Sequence, residues 1–396
     1  MRKPKLIYFT NHCPIGQTYG ARIRSRSIAE QLSKLTDIHL VVLPLEELSS
    51  EQIRETEKAF PNSKFFRFKG RKNSPLDKVS SLLNPNFLNT HGVSAELAAQ
   101  EYLENAVKDG ALLWFFGLRI ANAFQFPDST KAILDIDDIQ SQYWRSHYQQ
   151  ASSFKQKTLH AIKVFQWKRR EQVLLNRFIS LSVCSKTDQN YLTNLGLDGD
   201  QITILANGFS LDPKELQNSP AISNDLQIGF IGTLNYEPNR DGVNWFIQEV
   251  WDLILEQVPD ARLRLVGSKT DSIVGKQVDG LGFVENVSKE IAQWTLTIVP
   301  ILTGGGTRIK IAEAFCRECP VVSTSLGAFG YNVTNGVELS LADNKSEFAE
   351  ACIRLMKDPE YASSMTKNAK NLYNKGLSWN ALEPNLRQLI KTSVTE

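Results

Sequence analysis

The sequence predicts an α/β protein made of two doubly wound domains, and three observations indicate this fold class. Short apolar runs alternate with longer helical patterns along the 396 residues. The runs are apolar throughout, as in parallel sheets that are covered by helices on both faces. The alternation pauses at residues 207–224, a stretch rich in Gly, Pro, Ser, Asn and Asp that is typical of a linker, and it restarts at Leu226.

The first half opens with a strand pattern at residues 6–10, and a helical stretch follows near residues 21–34. The strand at 6–10 reads LIYFT, and its apolar and β-branched content favours a buried strand. Further strands of this kind are predicted at residues 39–43, 112–116, 132–135 and 179–184. This half therefore predicts an N-terminal Rossmann-like domain over residues 1–207, which we expect to bind the acceptor of a transfer reaction.

The second half repeats the pattern with strands at residues 227–231, 262–266, 295–300 and 320–324. Helices are predicted at residues 241–257 and 308–318, and a last helix at 378–390 is started or kinked near Pro384. We expect a linker over residues 208–225 and a second Rossmann-like domain over 226–375. We expect residues 376–396 to form a C-terminal helix that packs back toward the N-terminal domain. Ligands of such sheets lie beyond the carboxyl ends of the strands, so two facing domains predict a cleft.

Composition excludes several classes of protein. Hydrophobic residues make up 42% and charged residues 22% of the chain, as in ordinary globular proteins. The 45 lysines and arginines against 43 acids give a formal charge of +2, so no overall field attracts nucleic acid. No apolar run is long enough to span a membrane. Asn11 and His12 interrupt the apolar start before a signal peptide could form, which predicts a cytoplasmic protein.

The strongest local feature is the segment TGGGTRIKIAEAF at residues 303–315, which follows a predicted strand and opens a helix. Glycines leave backbone amides accessible, and a helix N-terminus attracts anions. Arg308 and Lys310 add two cations to the first turn, where they oppose the helix dipole unless an anion is bound. The segment therefore predicts a phosphate site. The alternative is a glycine-rich turn in which Lys310 pairs with Glu313.

Other chemistries have weaker support. Neither a GxxxxGK[ST] loop nor a GxGxxG fingerprint is present, which disfavours ATPase and nicotinamide enzymes. The five histidines show no zinc-binding spacing, and five scattered cysteines do not form a disulfide framework, so we expect no metal and no cofactor. Glu313 lies deeper in the helix, where its carboxylate can accept hydrogen bonds from a ribose diol. Its alternative is a solvated helix carboxylate.

These residues resemble the donor-binding signature of retaining GT-B glycosyltransferases of family 4, and most closely the bacterial exopolysaccharide type. The resemblance rests on GGGTRIKIAEAFCRECPVVSTSLGAFG together with IGTLNYEPNRDGVNWF, ARLRLVG, GLGFVENV and ILANGFSLD. It covers residues 200–375 well and the first half by architecture alone. It implies transfer of a sugar from a nucleotide sugar to a glycan, lipid-linked or other hydroxyl acceptor in polysaccharide or glycoconjugate biosynthesis.

The resemblance also implies roles for single residues. Glu313 falls where the family holds the donor ribose, and Arg308 and Lys310 fall where it binds the diphosphate and neutralises the departing charge without a metal. Phe283 and Val284 fall where backbone groups meet the nucleotide base. The donor-binding residues implied are Gly16, Gly20, Phe283, Val284, Gly304, Gly305, Gly306, Thr307, Arg308, Lys310 and Glu313.

The sequence departs from the family pattern at two positions. Gly305 stands where many members have a second glutamate near the sugar hydroxyls. The usual lysine after the first strand of the second domain is missing, and only Arg240 offers a cation there. On the acceptor side we expect His12 at the exit of the first strand, with Asp135 and Asp138 after a later one; capping of the next helix is the alternative for the acids.

Runs of basic and aromatic residues suggest a further partner. Arg22, Arg24 and Arg26 open the first helix, and residues 64–72 and 155–170 mix both residue types. Solvated faces explain such runs most often, and peripheral contact with an anionic membrane is the alternative. Two rival functions also stay open. One is a nucleotide-sugar epimerase of the same architecture, and the other is a non-catalytic sugar-binding protein.

Overall fold

The structure is a computed structural model that describes residues 3–16, 19–70, 72, 74–211 and 226–395. The chain forms two compact units, one of residues 1–206 with 382–396 and one of residues 207–381. Each unit is built on a parallel sheet interleaved with helices, so the predicted fold class is confirmed. Most of the predicted linker lies outside the described residues, which stop at 211 and resume at 226.

The N-terminal unit contains a seven-stranded parallel sheet. Its strands and a separate two-stranded antiparallel pair are β1 (Lys5–Thr10), β2 (Asp37–Val42), β3 (Lys64–Phe65), β4 (Phe68–Gly70), β5 (Val93–Ala95), β6 (Leu112–Phe116), β7 (Ala132–Ile136), β8 (Ser180–Val183) and β9 (Ile202–Ile204). The strand order of the large sheet is β3-β2-β1-β6-β7-β8-β9, and β4 pairs with β5. The central strands β1, β6 and β7 are buried on both faces, which explains their continuous apolar sequences.

Helices connect these strands along the chain: α1 (Gly20–Leu35), α2 (Ser50–Ala59), α3 (Pro75–Leu83), α4 (Leu97–Lys108), α5 (Leu118–Ala121), α6 (Gln140–Gln150), α7 (Phe154–Glu171) and α8 (Lys186–Asn194). The aromatic core shows how the sheet is packed. Phe9 of β1 stacks on Phe115 of β6 with ring centroids 4.8 Å apart, and Phe124 meets Phe9 edge-on.

The second unit contains a six-stranded parallel sheet. Its strands are β10 (Gln227–Ile231), β11 (Arg262–Val266), β12 (Val278–Gly282), β13 (Leu296–Val299), β14 (Val321–Ser323) and β15 (Ser340–Leu341). The strand order is β12-β11-β10-β13-β14-β15. The connecting helices are α9 (Glu237–Trp245), α10 (Trp251–Gln257), α11 (Val287–Ile291), α12 (Ile309–Cys316), α13 (Lys345–Lys357) and α14 (Pro359–Gly376).

Two helices differ from the prediction. The single helix expected over residues 241–257 is α9 followed by a π-helical turn, Phe246–Val250, and then α10. The wider turn brings Phe246 and Trp251 together in the core, with ring centroids 6.1 Å apart. The last helix, α15 (Trp379–Thr395), is longer than expected and keeps Pro384 inside it.

Helix α15 begins in the second unit and ends in the first. Within the N-terminal unit, Asn385 Nδ2 donates to the Ile204 carbonyl at 3.0 Å, and Lys131 Nζ donates to the Val394 carbonyl at 3.0 Å. Across the described part of the chain, no helix combines the length and the hydropathy needed to cross a bilayer.

Candidate functional site

In the second unit, two chain segments meet beyond the carboxyl ends of β10 and β13. Gly232 follows β10, and residues 300–308 follow β13 and lead into α12. A Cβ atom on Gly232 would lie 2.8 Å from Asn239 Nδ2 and 3.0 Å from Lys310 Nζ. Only a glycine therefore lets these two side chains approach the backbone so closely.

Arg308 is the first of two cations at this edge. It precedes α12 as its N-cap, and its Nη1 donates to the carbonyls of Gly305 and Gly306, the latter at 3.0 Å. Gly304 and Gly306 have φ values of 107° and 70°, which shape the loop around the guanidinium. Nε and Nη2 of Arg308 are buried, and within the described residues they have no hydrogen-bond partner. Because buried charged donors are costly to leave unpaired, this arrangement indicates an anion site.

Lys310 supplies a second cation two residues further along, in the first turn of α12. Its Nζ donates to Asn239 Oδ1 at 3.0 Å and lies 4.1 Å from the centroid of the Phe230 ring. Burial and the neighbouring Arg308 lower the pKa of Lys310 to about 7. The alternative in which Lys310 pairs with Glu313 is not the arrangement found, since Lys310 bonds Asn239 and Glu313 bonds another residue.

Glu313 is 6% exposed, so it is not a solvated helix carboxylate. Its Oε1 accepts hydrogen bonds from Arg317 Nε at 3.1 Å and Nη2 at 3.0 Å. Arg317 also donates to Ser288 Oγ, and its guanidinium lies 5.4 Å from the centroid of the Phe209 ring. The carboxylate is therefore held in a fixed orientation, which is what recognition of a diol requires. Its contact with a ribose stays a prediction.

Thr307 ties the glycine loop to the start of this unit. Asn207 Nδ2 donates to the carbonyl oxygen of Thr307 at 2.9 Å and to its Oγ1 at 2.6 Å. Both residues belong to the second unit, and Asn207 is 8% exposed. The pair holds the last residue of the loop before Arg308 begins the helix.

Phe283 and Val284 follow β12 and therefore lie at the same edge of the sheet as the glycine loop. Phe283 is 60% exposed, and Val284 is partly buried. In the strand order, β11 lies between β12 and β10. The Phe283 ring is therefore accessible, and the contact of the backbone groups of Phe283 and Val284 with a base stays a prediction.

Sequence reasoning missed three residues of this site, namely Gly232, Asn239 and Arg317. It named Arg240 as the only residue that offers a cation after β10. The side chain of Arg240 is 47% exposed and pairs with Asp241 at 3.4 Å, whereas its neighbour Asn239 is buried and bonds Lys310. The only hint in the sequence was the absence of the usual lysine after β10. Asn239 itself gave no signal, because an asparagine carries no charge.

The N-terminal unit holds the remaining predicted residues. His12 follows β1, and its Nδ1 lies 2.8 Å from the hydroxyl of Tyr19. Burial, with Arg22 and Arg119 nearby, lowers the pKa of His12 to about 4, so the imidazole is neutral at neutral pH. Gly16 has a φ of 126°, and Gly20 is the first residue of α1.

Asp135 does not lie where an acceptor could reach it. It is fully buried at the end of β7, and its oxygens accept from Arg24 Nη2 at 2.7 Å, from Arg24 Nε at 3.0 Å and from Ser182 Oγ at 2.5 Å. Arg24 also donates to the carbonyls of Leu205 and Ala206. Arg24 is therefore part of the core and not of a solvated basic face.

Asp138 follows β7 and is partly exposed. Helix capping, the alternative for the acids after β7, is not found, because the N-cap of α6 is Ile139 and has no side-chain cap. The carboxylate that contacts the start of α6 belongs to Glu171. Glu171 accepts from the backbone N of Ser141 at 2.9 Å and from its hydroxyl, and burial raises the pKa of Glu171 to about 7. In the part of the chain that the structure describes, no three His, Cys, Asp or Glu side chains form a group that could hold a metal ion.

Comparison with known proteins adds four findings. Residues 225–358 match the family model described as "Glycosyl transferases group 1". A Klebsiella pneumoniae protein, described as an uncharacterized 44.6 kDa protein in the cps region, is 21% identical over 92% of this chain and 94% of its own. Sucrose-phosphate synthase from Thermosynechococcus elongatus has a TM-score of 0.66 at 15% identity, with 98% of this chain and 99% of that chain covered. Anabaena HepE in complex with UDP and glucose has a TM-score of 0.64 at 14% identity, with 98% and 100% covered.

These likenesses show that the chain has the GT-B fold of glycosyltransferases. The family match covers about a third of the chain and includes the glycine loop, Arg308, Lys310 and Glu313. The family match therefore falls on the residues of the candidate site. The finer expectations, family 4 and a retaining mechanism, stay predictions.

Proposed function

We propose that this protein is a glycosyltransferase that moves a sugar from a nucleoside diphosphate sugar to a glycan, lipid-linked or other hydroxyl acceptor. The observation that carries the proposal is the pair of buried Arg308 donors that have no partner among the described residues, beside the ammonium group of Lys310. A pyrophosphate satisfies both cations at once, and phosphate groups commonly bind at helix N-termini. The group 1 match over the same residues supports this assignment.

The proposed chemistry follows from the charge that develops during transfer. Breaking the bond between the anomeric carbon and the phosphate oxygen leaves negative charge on the departing diphosphate. Donors that are already oriented stabilise this charge without reorganising. Arg308 is held by the carbonyls of Gly305 and Gly306, and Lys310 is held by Asn239. We propose that these two cations carry the leaving group without a metal or a further cofactor, and that the anomeric configuration is retained.

Two features of the relatives bear on substrate and setting. The Anabaena structure contains UDP and glucose, which makes UDP the first nucleotide to test. The Klebsiella relative comes from a cps region, which supports a role in polysaccharide biosynthesis. We also propose that the reaction takes place in the cytoplasm and that the protein makes peripheral contact with an anionic membrane.

Titration calorimetry tests the proposal directly. Uridine, guanosine, thymidine and adenosine diphosphates are titrated into the full chain, followed by the sugars of the tightest nucleotide. We expect micromolar binding of one nucleotide and slow release of its diphosphate from the matching nucleotide sugar, accelerated by an acceptor. Formation of an isomeric nucleotide sugar without acceptor would assign an epimerase instead. Binding with no turnover under any acceptor would leave only a sugar-binding protein.

A further inference from the structure

Helices α3 and α7 of the N-terminal unit expose an unusual amount of apolar surface. Single exposed apolar side chains are ordinary, but clusters of them mark interaction sites. Eight of the exposed large apolar side chains among the described residues belong to these two helices: Leu76, Val79, Leu82, Leu83, Phe154, Leu159, Ile162 and Phe165. Phe154 is 87% exposed and Leu76 is 81% exposed, so neither is covered by the chain itself.

The two helices contact each other, which brings their exposed side chains into one region of the surface of the N-terminal unit. Arg170 of α7 donates from Nη2 to the carbonyl oxygen of Ser81 at 2.8 Å and to its hydroxyl at 2.7 Å. Ser81 directly precedes Leu82 and Leu83 of α3, which are both exposed. We call this surface, formed by the eight side chains above, the apolar patch.

The patch is framed by positive charge. Helices α6 and α7 pack as a pair, and residues 140–171 contain seven lysines and arginines but a single acid, Glu171. That acid is buried against Ser141, and Arg170 is buried as well, so six cations and no acid of this segment remain outside the buried residues. The whole chain has a formal charge of only +2, so this pair of helices is far more basic than the rest. Lys155 and Lys157 are exposed beside Phe154 at the start of α7.

The start of α7 is also poorly supported by the protein. Residues 152–159 are exposed without exception, so no face of the helix is buried there. Helices in water depend on packing of an apolar face for most of their stability. A surface that takes up apolar side chains and attracts lysines would supply the packing that the chain itself does not provide at the start of α7.

We propose that α3 and the α6–α7 pair seat the N-terminal unit on an anionic lipid bilayer, with the apolar patch in the interfacial region and the lysines at the headgroups. The occupant is a bilayer and not a second copy of the chain, because a symmetric contact through this patch would bring two basic surfaces together. The inference deepens the peripheral membrane contact of the proposed function, but binding to lipid does not depend on sugar transfer.

Vesicle flotation of the full chain tests this inference. Vesicles of phosphatidylcholine alone are compared with vesicles that also contain phosphatidylglycerol, at low and at high salt. We expect flotation only with the anionic vesicles and a decrease at high salt, because salt screens the lysines. Replacing Leu159, Ile162 and Phe165 together by serine is expected to lower partitioning at least about tenfold. The variant Lys155→Gln/Lys157→Gln is expected to weaken it as well.

The matched control is Val274→Ser in the second unit, since Val274 is 91% exposed but lies outside the patch. It is expected to float like the unmodified protein. Circular dichroism and nucleotide calorimetry on every variant separate loss of lipid binding from loss of fold or of the donor site. Equal flotation of the serine triple and the control would overturn the inference, and so would a chain that never floats. A dimer that the serine triple converts to a monomer, without vesicle binding, would make the patch a subunit interface instead.

Discussion

The lowered pKa of Lys310 predicts that nucleotide binding takes up a proton. With a pKa of about 7, Lys310 carries its proton in about one tenth of the molecules near pH 8. A diphosphate beside the ammonium group raises this pKa, because an opposite charge favours the charged form. We therefore expect Lys310 to take up about 0.9 proton per bound nucleotide near pH 8 and about 0.1 near pH 6.

The same linkage fixes the direction of the pH dependence of affinity. Below the pKa of the free protein Lys310 is already charged, so its contribution to binding is complete. Above that pKa every bound nucleotide must recruit a proton, and affinity falls by up to about tenfold per pH unit until the pKa of the complex is reached. The affinity for a nucleoside diphosphate should therefore decrease as the pH rises from neutral to alkaline.

Calorimetry in buffers with different ionisation enthalpies measures the proton uptake. Lys310→Arg is the matched control, since the guanidinium stays charged and keeps the site cationic. We expect it to abolish the uptake while binding persists, whereas Lys310→Met should lose both. Asn239→Leu should alter the uptake as well, because Asn239 accepts the hydrogen bond of Lys310. Equal proton uptake by Lys310→Arg and the unmodified protein would refute the reasoning.

Three further predictions follow from the same contacts. Arg308→Ala should lower turnover by about 100-fold or more and should affect affinity for the nucleotide sugar less, because its N–H groups act on the departing charge. Initial rates measured over a range of nucleotide-sugar concentrations give both quantities. Glu313→Ala should weaken nucleotide binding by about 1–3 kcal/mol, because the ribose diol loses its carboxylate partner. Binding of the deoxynucleotide, which lacks one hydroxyl of the diol, should change little, and calorimetry measures both affinities. Arg24→Met should reduce the free energy of unfolding by about 3–5 kcal/mol in denaturant titrations, because it leaves the buried Asp135 without its partner. Arg26→Met, which removes an exposed pair with Glu30, should stay within about 0.5 kcal/mol of the unmodified protein.

Much of the fold could be predicted because buried parallel strands carry a continuous apolar signal. Strands β6, β10 and β11 begin and end at the predicted residues. The short strands β3 and β4 were read as a basic and aromatic run, since two or three residues carry no periodicity. The π-helical turn between α9 and α10 leaves no mark on a helical pattern. Whether such short strands and turns form depends on tertiary packing.

The residues of the candidate site likewise fall into those that the sequence predicts and those that it does not. Glycines and cations next to a helix start can be recognised in sequence, so Arg308 and Lys310 were accessible to the prediction. Their partners were not, because Asn239 and Arg317 reach the site through the fold rather than through local spacing. Asp135 shows the converse error. A carboxylate after a strand looks like a ligand in sequence, but the buried Arg24, 111 positions away, makes it part of the core.

The return of the last helix to the first unit has a consequence for biosynthesis. Leu386 and Leu389 are buried and belong to that unit, so the first unit lacks buried residues of its own until the whole second unit has been synthesised. The contiguous second unit can finish folding earlier, which inverts the usual order in which domains mature on a nascent chain. A fragment that stops at residue 206 would lack residues 382–396 of its own unit, so recombinant production of the first unit should include them.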